Sequence, residues 1–510
     1  MEDPDMTSPQ TAGRAVEPTS WAPLAVVLIG GFIAFLDFFI ANVAIPSIQS
    51  DLDASAPETQ LVMVGYGAAL CVGLITGGRM GDLFGPRRMF VIGLAFFTAA
   101  SAACGFAPSI WFLIVARVVQ GLSSAMLTPQ VLAVVSHVYT GEARGRAFSA
   151  YGLMLGLSGL CGQLIGGMLI ALDVAGLDWR TVFLINIPIG LVILALTRRI
   201  VPHIRTGAGA KLDLPGAALA IVSLAAVVLP LLEGWEQGWP LWAWLSLIAA
   251  VPLFVLFLTH QRRLAARNAA PLIDPGLFRE RGFTVGVTAY FVYFMSMGSF
   301  FLLFAIYMQE GRGWDPLPSG LLFTTMSAGF FGSSFLAGKF AARIGNQVIA
   351  LGAGLVAVGY GMVGLIVARI GTDGTAGWGA PGLLVAGFGM GLVAAPLPAA
   401  ALAGIDPKHA SSASGVLSTA MEGGAALGVS LVGVVFFGTL SDSPALDDYP
   451  KAFYLSIAVI VAFPVIVTLL VQALPKPASS VAGERQGQGK EASAVEQPVR
   501  KTDRQYASER

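Results

Sequence analysis

The sequence predicts an all-helical membrane protein with fourteen transmembrane helices. Three observations support this fold class. The chain of 510 residues is 55 % hydrophobic and only 12 % charged, whereas soluble domains carry about 25 % charged residues. Its mean hydropathy is +0.74. Apolar runs of the length that a bilayer requires, about 20 residues, recur between residues 21 and 473.

The ends of the chain differ from these apolar runs. Residues 1–20 are polar and acid-leaning, with no basic n-region, so the first apolar run is predicted to be a retained helix and not a cleaved signal. Residues 474–510 are rich in Gln, Ser, Lys, Arg and Glu and are predicted to form a disordered tail. Residues 1–20 are also predicted to be disordered. The spans are predicted at residues 21–44, 59–78, 89–107, 110–135, 146–172, 180–197, 215–232, 241–259, 283–308, 317–341, 347–369, 379–404, 412–437 and 453–473.

Basic residues are distributed unevenly between the two ends of these spans. With the N-terminus in the cytoplasm, the outer connections hold four of them: Arg180, Arg312, Arg369 and Lys451. The cytoplasmic connections then hold seventeen: Arg79, Arg87, Arg88, Arg144, Arg146, Arg198, Arg199, Arg205, Lys211, Arg262, Arg263, Arg267, Arg279, Arg281, Lys339, Arg343 and Lys408. Because cytoplasmic loops carry an excess of Lys and Arg, this bias predicts a multi-pass protein of the cell membrane with both termini cytoplasmic.

One carboxyl group is placed deep in the thirteenth span. Glu422 lies about ten residues into this span, hence about 15 Å deep and near the middle of the hydrocarbon core. An apolar surrounding favours the neutral form of a carboxyl group, so Glu422 is a candidate for taking up and releasing a proton or binding substrate. The alternative is a structural carboxyl bonded to a neighbouring helix. Gly423, Gly424 and Gly428 allow either a close approach of another helix or a cavity.

Asp37 and Arg117 form a second candidate site. They are predicted to lie in the first and fourth spans, both about 10 Å below the outer surface. Equal depth predicts an ion pair, which favours the charged form of Asp37. Two interpretations stay open: a fixed salt bridge that only holds the helices together, or a pair that breaks and re-forms as protons or cationic substrates arrive.

A polar motif, GRMGDLFGPRR, runs from Gly78 to Arg88 and is interpreted as a loop after the second span. Its Gly85–Pro86 step predicts a tight turn. Asp82 is predicted either to accept from Arg144 or Arg146 in the next connection on the same side, or to cap a helix N-terminus.

A fainter copy of this motif follows the tenth span. The segment GKFAARIG from Gly338 to Gly345 repeats the two glycines seven residues apart, with a basic residue just after the first. Ala342 stands where the first copy has Asp82. Repeated halves are typical of membrane proteins that build two bundles around a site near the midplane.

Signatures of catalysis and of ATP use are missing from the sequence. There is no Walker A motif and no GxSxG, and the four histidines lack metal-ligand spacing. Cys71, Cys104 and Cys161 lie in apolar runs without CxxC spacing and are predicted to be buried small side chains. The formal net charge of zero gives no strong attraction to nucleic acid. We therefore expect no enzyme, cofactor, metal, ATP or nucleic acid.

Taken together, these motifs resemble the major facilitator superfamily over about residues 20–473, and most of all its fourteen-helix branch of drug:proton antiporters. GRMGDLFGPRR is similar to the loop motif of the superfamily. RVVQG, with Arg117, Gln120 and Gly121, resembles the fourth-helix motif associated with proton coupling. LDFFIANVAIP, with Asp37, Asn42 and Pro46, resembles the first-helix signature, and WRTVFLINIPIG (residues 179–190) resembles the sixth-helix signature of the branch.

The resemblance implies the major facilitator fold, with six-helix bundles at 21–197 and 283–473 and a linker at 198–282 that contains helices 7 and 8. It implies a place in proton coupling or substrate binding for Asp37, Asn42, Arg117 and Gln120, with Glu422 as the acid of helix 13. It also implies a conformational switch formed by Gly78, Asp82, Gly85, Arg87 and Arg88, with Arg144 and Arg146 beside it.

The fifth span departs from the antiporter pattern. The family motif has Gly-Pro followed by Gly-Gly, whereas this chain has Gly162-Gln163 followed by Gly166-Gly167. Because the proline is missing, its bend is not expected here.

These features predict a proton-driven secondary exporter of amphipathic drugs or antibiotics, cationic ones among them, that works as a monomer among membrane lipids by alternating access. The alternative within transport is a proton-coupled carrier of one specific metabolite. The alternative from another class is a non-transporting membrane sensor or scaffold. A broad substrate profile distinguishes the drug exporter from the carrier of one metabolite, and the sensor or scaffold predicts no flux.

Overall fold

The computed structural model describes residues 20–173, 176–203, 213–234, 237–267, 271–314, 316–372, 374–406, 409–440 and 446–475. These residues contain fourteen helices that are long and apolar enough to cross a membrane, which confirms the predicted number. The segments predicted to be disordered, 1–20 and 474–510, lie almost wholly outside the described residues.

We number the helices in chain order. The first seven are α1 (Ala22–Asp51), α2 (Ala56–Phe84), α3 (Pro86–Gly105), α4 (Ile110–Val138), α5 (Gly141–Leu172), α6 (Asn186–Ile200, entered through helical turns at Asp178–Arg180 and Thr181–Leu184) and α7 (Leu214–Glu233). The others are α8 (Leu241–Ala266), α9 (Arg281–Ile306, extended by a π turn at Tyr307–Gly311), α10 (Pro316–Ile344), α11 (Gln347–Ile370), α12 (Ala380–Ala394, followed by a turn at Pro396–Ala401), α13 (Ala410–Thr439) and α14 (Asp448–Val471).

The interpretation of Gly78 to Arg88 as a loop is wrong. The segment from Gly78 to Phe84 forms the last turns of α2, and α3 begins at Pro86. Only Gly85 separates the two helices, with a φ of 94°, a value that favours glycine, so the tight turn itself is confirmed. Pro86 then starts α3, where its missing N–H has no partner to lose. The polar residues of the motif therefore project from helices.

The same pattern of neighbours occurs in the first six helices and in the last six. α1 packs on α5, and α4 lies between α2 and α3, while α9 packs on α13, and α12 lies between α10 and α11. Glycines set the close approach at equivalent places: a Cβ atom at Gly121 would collide with the carbonyl of Tyr66, and one at Gly387 with the carbonyl of Met326. The packing supports the internal repeat that the sequence indicates.

The additional helices α7 and α8 pack on each other, and α7 also contacts α2 and α13. Ser430 on α13 donates a hydrogen bond of 2.6 Å to the carbonyl of Leu231 near the end of α7. Pro230 has no N–H for the carbonyl of Ala226, and the hydroxyl of Ser246 on α8 donates to that carbonyl at 3.1 Å. Side chains of the neighbouring helices thus satisfy these two carbonyl groups of α7 within the apolar layer.

Contacts between the first six and the last six helices join α2 and α4 to α13, and α5 to α10. We call the end of the molecule that carries the α2–α3 connection the basic end, because the connections on that side hold most of the arginines, and the other end the opposite end. Close contacts here lie toward the basic end: a Cβ atom at Gly78 would come within 3.0 Å of Gly415 Cα, and one at Gly152 within 3.3 Å of the backbone nitrogen of Ala395.

Candidate functional site

A fully buried polar cluster surrounds Asp37 on α1. The guanidinium of Arg117 on α4 donates a close hydrogen bond from Nη1 to Asp37 Oδ2 and forms an ion pair with it. Gln120 Nε2 donates to Asp37 Oδ1 at 2.9 Å, and Asn186 Nδ2 on α6 donates to the same oxygen at 2.8 Å. Asp37, Arg117 and Gln120 are 0 % exposed and Asn186 1 %, so the cluster is closed to solvent. The ion pair predicted from equal depth is confirmed.

Further hydrogen bonds tie this cluster to α3 and to the turn at Thr181–Leu184 that leads into α6. Asn186 Nδ2 also donates to Ser101 Oγ at 2.9 Å, and Ser101 donates to the carbonyl of Phe183 at 2.9 Å. The thiol of Cys104 lies 3.5 Å from Gln120 Oε1 and donates to it. Each buried hydrogen bond strengthens its neighbours in a medium of low dielectric constant. The Asp37 carboxylate therefore accepts from three side chains, whereas Arg117 Nη2 and Asn186 Oδ1 have no hydrogen-bond partner among the described residues.

Asn186 is the member of the cluster that sequence reasoning did not place there. It belongs to the WRTVFLINIPIG signature, yet its link to Asp37 depends on a contact between residues 149 positions apart. The signal that could have found it is an amide in an apolar run at the start of α6, since a buried amide needs partners. Conversely, Asn42 is exposed and donates to the carbonyl of Phe38 in its own helix at 3.0 Å. The structure does not bring Asn42 into the cluster.

The fifth-helix glycines line the contact between α1 and α5. A Cβ atom at Gly162 would collide with Phe39, and one at Gly166 would come within 2.9 Å of Ile40. Gly167 faces open space, and the side chain of Gln163 lies outside the described structure. α5 runs without a break from Gly141 to Leu172, as expected without the proline.

Glu422 has a different environment in the middle of α13. It is half-buried, and among the described residues no hydrogen bond or ion pair reaches its carboxyl group. The charge of Glu422 interacts electrostatically with Tyr66 and Cys71 on α2, Tyr151 on α5 and Tyr290 on α9. Helices of both halves therefore surround an acid that keeps its hydrogen-bonding capacity free.

The glycines beside Glu422 serve close packing. A Cβ atom at Gly424 would collide with the carbonyl of Phe291, and one at Gly428 with that of Met295, so α13 lies directly on α9. Gly423 is less tightly enclosed, since a Cβ atom there would lie 3.7 Å from the ring of Phe291. Of the two alternatives left open by the sequence, close helix approach holds for Gly424 and Gly428. The structural alternative for Glu422, a bond to a neighbouring helix, is not found among the described residues.

At the basic end, Asp82 on α2 caps the N-terminus of α13. Its Oδ1 accepts from the backbone N–H of Ser411 at 2.9 Å, and its Oδ2 accepts from that of Ser412 at 2.9 Å and from the Ser412 hydroxyl. Arg79 lies 4.0 Å from the same carboxylate. A negative charge at a helix N-terminus meets free N–H groups and the positive end of the helix dipole. We call Asp82 with Ser411 and Ser412 the latch.

The arginines predicted to belong to the switch have other partners than Asp82. Arg144 donates to the carbonyl of Leu402 at 3.0 Å, which makes a second contact between the halves, whereas Arg146 lies over the ring of Trp21 at 5.4 Å. Arg87 donates to the carbonyl of Arg198, and Arg88 is exposed. Of the two alternatives for Asp82, capping is therefore correct and pairing with Arg144 or Arg146 is wrong.

The opposite end of the first half carries an exposed ion pair. Arg180 Nη1 lies 2.6 Å from Asp51 Oδ2, and Trp179 Nε1 donates to the same oxygen at 3.0 Å. The hydrogen bond from Arg180, and to a smaller extent that from Trp179, holds the pKa of Asp51 below its usual value. The pair fixes the end of α1 to the turn that leads into α6.

The comparison with protein families gives an extended match. The family model described as Major Facilitator Superfamily matches residues 27–429. The probable actinorhodin transporter of Streptomyces coelicolor is 35 % identical over 451 residues, 87 % of this chain and 77 % of that protein. The puromycin resistance protein pur8 of Streptomyces alboniger is 33 % identical over 437 residues, 84 % of each chain. The drug efflux pump JefA of Mycobacterium tuberculosis is 30 % identical over 441 residues, again 84 % of each.

Solved structures share the fold at low sequence identity. The human organic anion transporter MFSD10 superposes with a TM-score of 0.64 at 15 % identity and covers 89 % of this chain and 100 % of that chain. The proton:xylose symporter XylE superposes with a TM-score of 0.58 at 14 % identity, covering 89 % and 96 %. The chain therefore belongs to the Major Facilitator Superfamily, as a multi-pass membrane transporter related to drug and antibiotic exporters and not an enzyme.

Proposed function

We propose that this protein is a proton-driven exporter of amphipathic compounds, cationic ones among them, and that Glu422 alternately holds a proton and the substrate. The observation that carries the proposal is a half-buried carboxyl group without a polar partner among the described residues, in the middle of a membrane helix and near α2, α5 and α9. An ionisable group at this depth is costly unless it serves a function. The names of the relatives, which export or confer resistance to antibiotics, support the substrate class.

The aromatic groups near Glu422 fit such a substrate. Tyr66, Tyr151 and Tyr290 bring aromatic rings close to the acid, and Phe291 lies beside Gly423. A cation is attracted by aromatic faces and by a carboxylate, and a flat apolar body packs against the rings. When Glu422 takes up a proton instead, its attraction for a cation is lost, so proton and cationic substrate compete for one group.

The proton gradient is sufficient as a driving force. In exchange for an uncharged compound, one proton moving inward across 100 mV releases about 2.3 kcal/mol, which sustains a roughly 50-fold gradient of that compound. Exchange of one proton for one monovalent cation moves no net charge, so the pH difference drives that exchange. The orientation that this requires places the basic end and both termini in the cytoplasm, in agreement with the excess of arginine at that end.

Alternating access would come from rocking of α1–α6 against α9–α14, each acting as a six-helix bundle. The latch and the bond of Arg144 to Leu402 close the basic end in this structure. Opening toward the cytoplasm then requires Asp82 to leave the N-terminus of α13. In the second half, Ala342 lies three residues after Lys339, where the first half has Asp82 three residues after Arg79. The repeat in the second half therefore lacks the acid that forms this cap.

The test is proton-driven dye uptake into inverted membrane vesicles, with the wild type compared with Glu422→Gln at equal expression. Glu142→Gln is the matched control, because Glu142 is an exposed glutamate at the start of α5. We expect uptake in the wild type and the control, and none in Glu422→Gln.

The other outcomes assign the function differently. Equal uptake by wild type and Glu422→Gln would make Glu422 structural and move the coupling role to Asp37 and Arg117. If the wild type takes up none of a panel of unrelated dyes, the protein is a carrier of narrow specificity or does not transport.

A further inference from the structure

Arg117 has a second set of partners that does not include Asp37. Its Nε donates to the carbonyl of Val62 at 3.3 Å, and its Nη1 also donates to Gln120 Oε1 at 2.9 Å. The guanidinium carbon lies 4.2 Å from the centre of the Tyr66 ring and 5.5 Å from that of Phe183. A guanidinium is attracted by an aromatic face, and the attraction grows when water is excluded.

The ring of Tyr66 is itself held firmly. Its hydroxyl donates to the carbonyl of Ala34 on α1 at 2.9 Å and lies 2.9 Å from the hydroxyl of Ser124 on α4. Gly121 packs directly on the carbonyl of Tyr66, so the backbone of α2 is also fixed against α4. Tyr66 and Phe183 are 0 % exposed. We call Tyr66 with Phe183 the aromatic seat of Arg117.

We propose that Tyr66 is a positioning residue for the Asp37–Arg117 pair: the aromatic seat holds the charge of Arg117 in place while Asp37 is neutral. Arginine keeps its charge under all physiological conditions. A buried arginine that loses its carboxylate is destabilising unless other groups solvate it. Two carbonyl groups and two ring faces provide that solvation here, so Asp37 can take up a proton without displacement of Arg117.

The charged and titratable groups that face Asp37 lie on three neighbouring helices. Arg117 is the cation on α4, Tyr66 lies on α2 and Cys104 on α3, and both of these interact electrostatically with Asp37. α6 contributes the neutral amide of Asn186. Glu422 on α13 also interacts electrostatically with Tyr66, so the Tyr66 side chain interacts with both Asp37 and Glu422. The functional part of this inference adds a protonation of Asp37 to the proposed proton cycle of Glu422, and it rests on that proposed function.

A double-mutant cycle on the thermal stability of the purified protein tests the aromatic seat without a transport assay. Asp37→Asn imitates the neutral acid, and Tyr66→Leu removes the ring. We expect the purified Asp37→Asn protein to fold, and Tyr66→Leu to lower its thermal midpoint by about 3 °C more than it lowers that of the wild type. The matched control is Tyr360→Leu, since Tyr360 is equally buried and stacks on Phe300 at 3.8 Å in the other half. Its effect should be the same in both backgrounds.

Each result of the cycle decides the inference. Additive effects of Asp37→Asn and Tyr66→Leu would overturn it, as would an Asp37→Asn protein that does not fold, because the seat would then be insufficient. The inference is supported if Asp37→Asn/Tyr66→Leu does not fold while both single variants and Asp37→Asn/Tyr360→Leu do fold.

A pH profile separates positioning from a merely structural role. Tyr66→Leu destabilises the protein in which Asp37 is protonated, so protonation of Asp37 requires a lower pH. The pH of half-maximal dye uptake should therefore fall by about one unit. Tyr66→Phe keeps the ring face and should restore the wild-type profile, whereas Tyr360→Leu should change the amount of uptake without moving the profile. An unshifted Tyr66→Leu profile would contradict the role. A protein that moves no dye fails the proposed function, while the stability cycle still decides the seat.

Discussion

Asp37 and Glu422 are both carboxylic acids inside membrane helices, and they lie in opposite environments. Asp37 is closed to solvent and accepts hydrogen bonds from Arg117, Gln120 and Asn186. Glu422 is half-buried and has no polar partner among the described residues. A saturated carboxylate contributes to stability and order, whereas a bare one remains available to protons and ligands. We infer that Glu422 exchanges proton and substrate directly, and that Asp37 becomes neutral only where the aromatic seat holds Arg117 in place.

Glu422→Gln should separate the two regions most sharply. We expect proton-driven transport to fall by about 100-fold or more, because the group that exchanges a proton is gone. The thermal midpoint should stay equal or rise, since the amide breaks no hydrogen bond and needs less hydration than a carboxylate. Scanning calorimetry of the purified protein beside the vesicle assay measures both; a large loss of stability would place Glu422 in the same class as Asp37.

Asn186→Leu should show the reverse pattern for the saturated region. It removes the donor to Asp37 Oδ1 and to Ser101, and a bond to a charged group contributes about 2 kcal/mol. We expect that loss in the free energy of unfolding, measured by denaturation in detergent. The control is Asn42→Ala, because Asn42 is exposed and, among the described residues, its hydrogen bond stays within its own helix. A stable Asn186→Leu protein would mean that the cluster is not cooperative.

Asp82→Asn tests a third carboxylate, which is saturated in this structure and is proposed to become bare when the basic end opens. The variant keeps the shape and loses the charge at the N-terminus of α13, which weakens the latch by about 1 kcal/mol. Ser418 is buried on α13 between the latch and Glu422. We expect a Ser418→Cys thiol to react with maleimide about fivefold faster in Asp82→Asn than with Asp82 intact. Glu142→Gln is the control, and unchanged labelling would argue against the latch.

Asp51→Asn should have the smallest effect, because its ion pair with Arg180 is exposed to solvent. Surface pairs contribute about 0.2–1 kcal/mol. The pKa of Asp51 is lowered by Arg180 and Trp179, so this contribution is present above the unfolded value of about 3.9 and is lost as the pH falls through the lower folded value. Thermal midpoints of the wild type and Asp51→Asn should differ slightly at pH 7 and converge near pH 3. A difference that persists at pH 3 would point to packing rather than charge.

Several features of the site could be predicted from the sequence. The depth of Asp37 and Arg117 along their helices predicts the pair, because the rise per residue is fixed. The glycines beside Glu422 allow either a close approach of another helix or a cavity, and the packing of α13 on α9 decides for close approach at Gly424 and Gly428. Asn186 and Ser101 could not be assigned to the cluster, because their contacts depend on how α3 and α6 pack against α1.

The motif at the end of α2 shows where local patterns fail. Its polar residues are typical of a loop, yet they lie on helices, and Asp82 has its partners on α13, 329 and 330 positions away. The choice between the arginines of the next connection and a helix N-terminus cannot be made from neighbouring residues alone.

The sequence by itself determined the fourteen helices, their order and the uneven distribution of basic residues, because hydropathy and charge act on each segment separately. Only the tertiary structure decided which acid is saturated and which is bare. Hydrogen-bond partners are selected by packing between distant helices, and the same carboxyl group is fixed or free according to the donors that the fold brings within 3 Å of it.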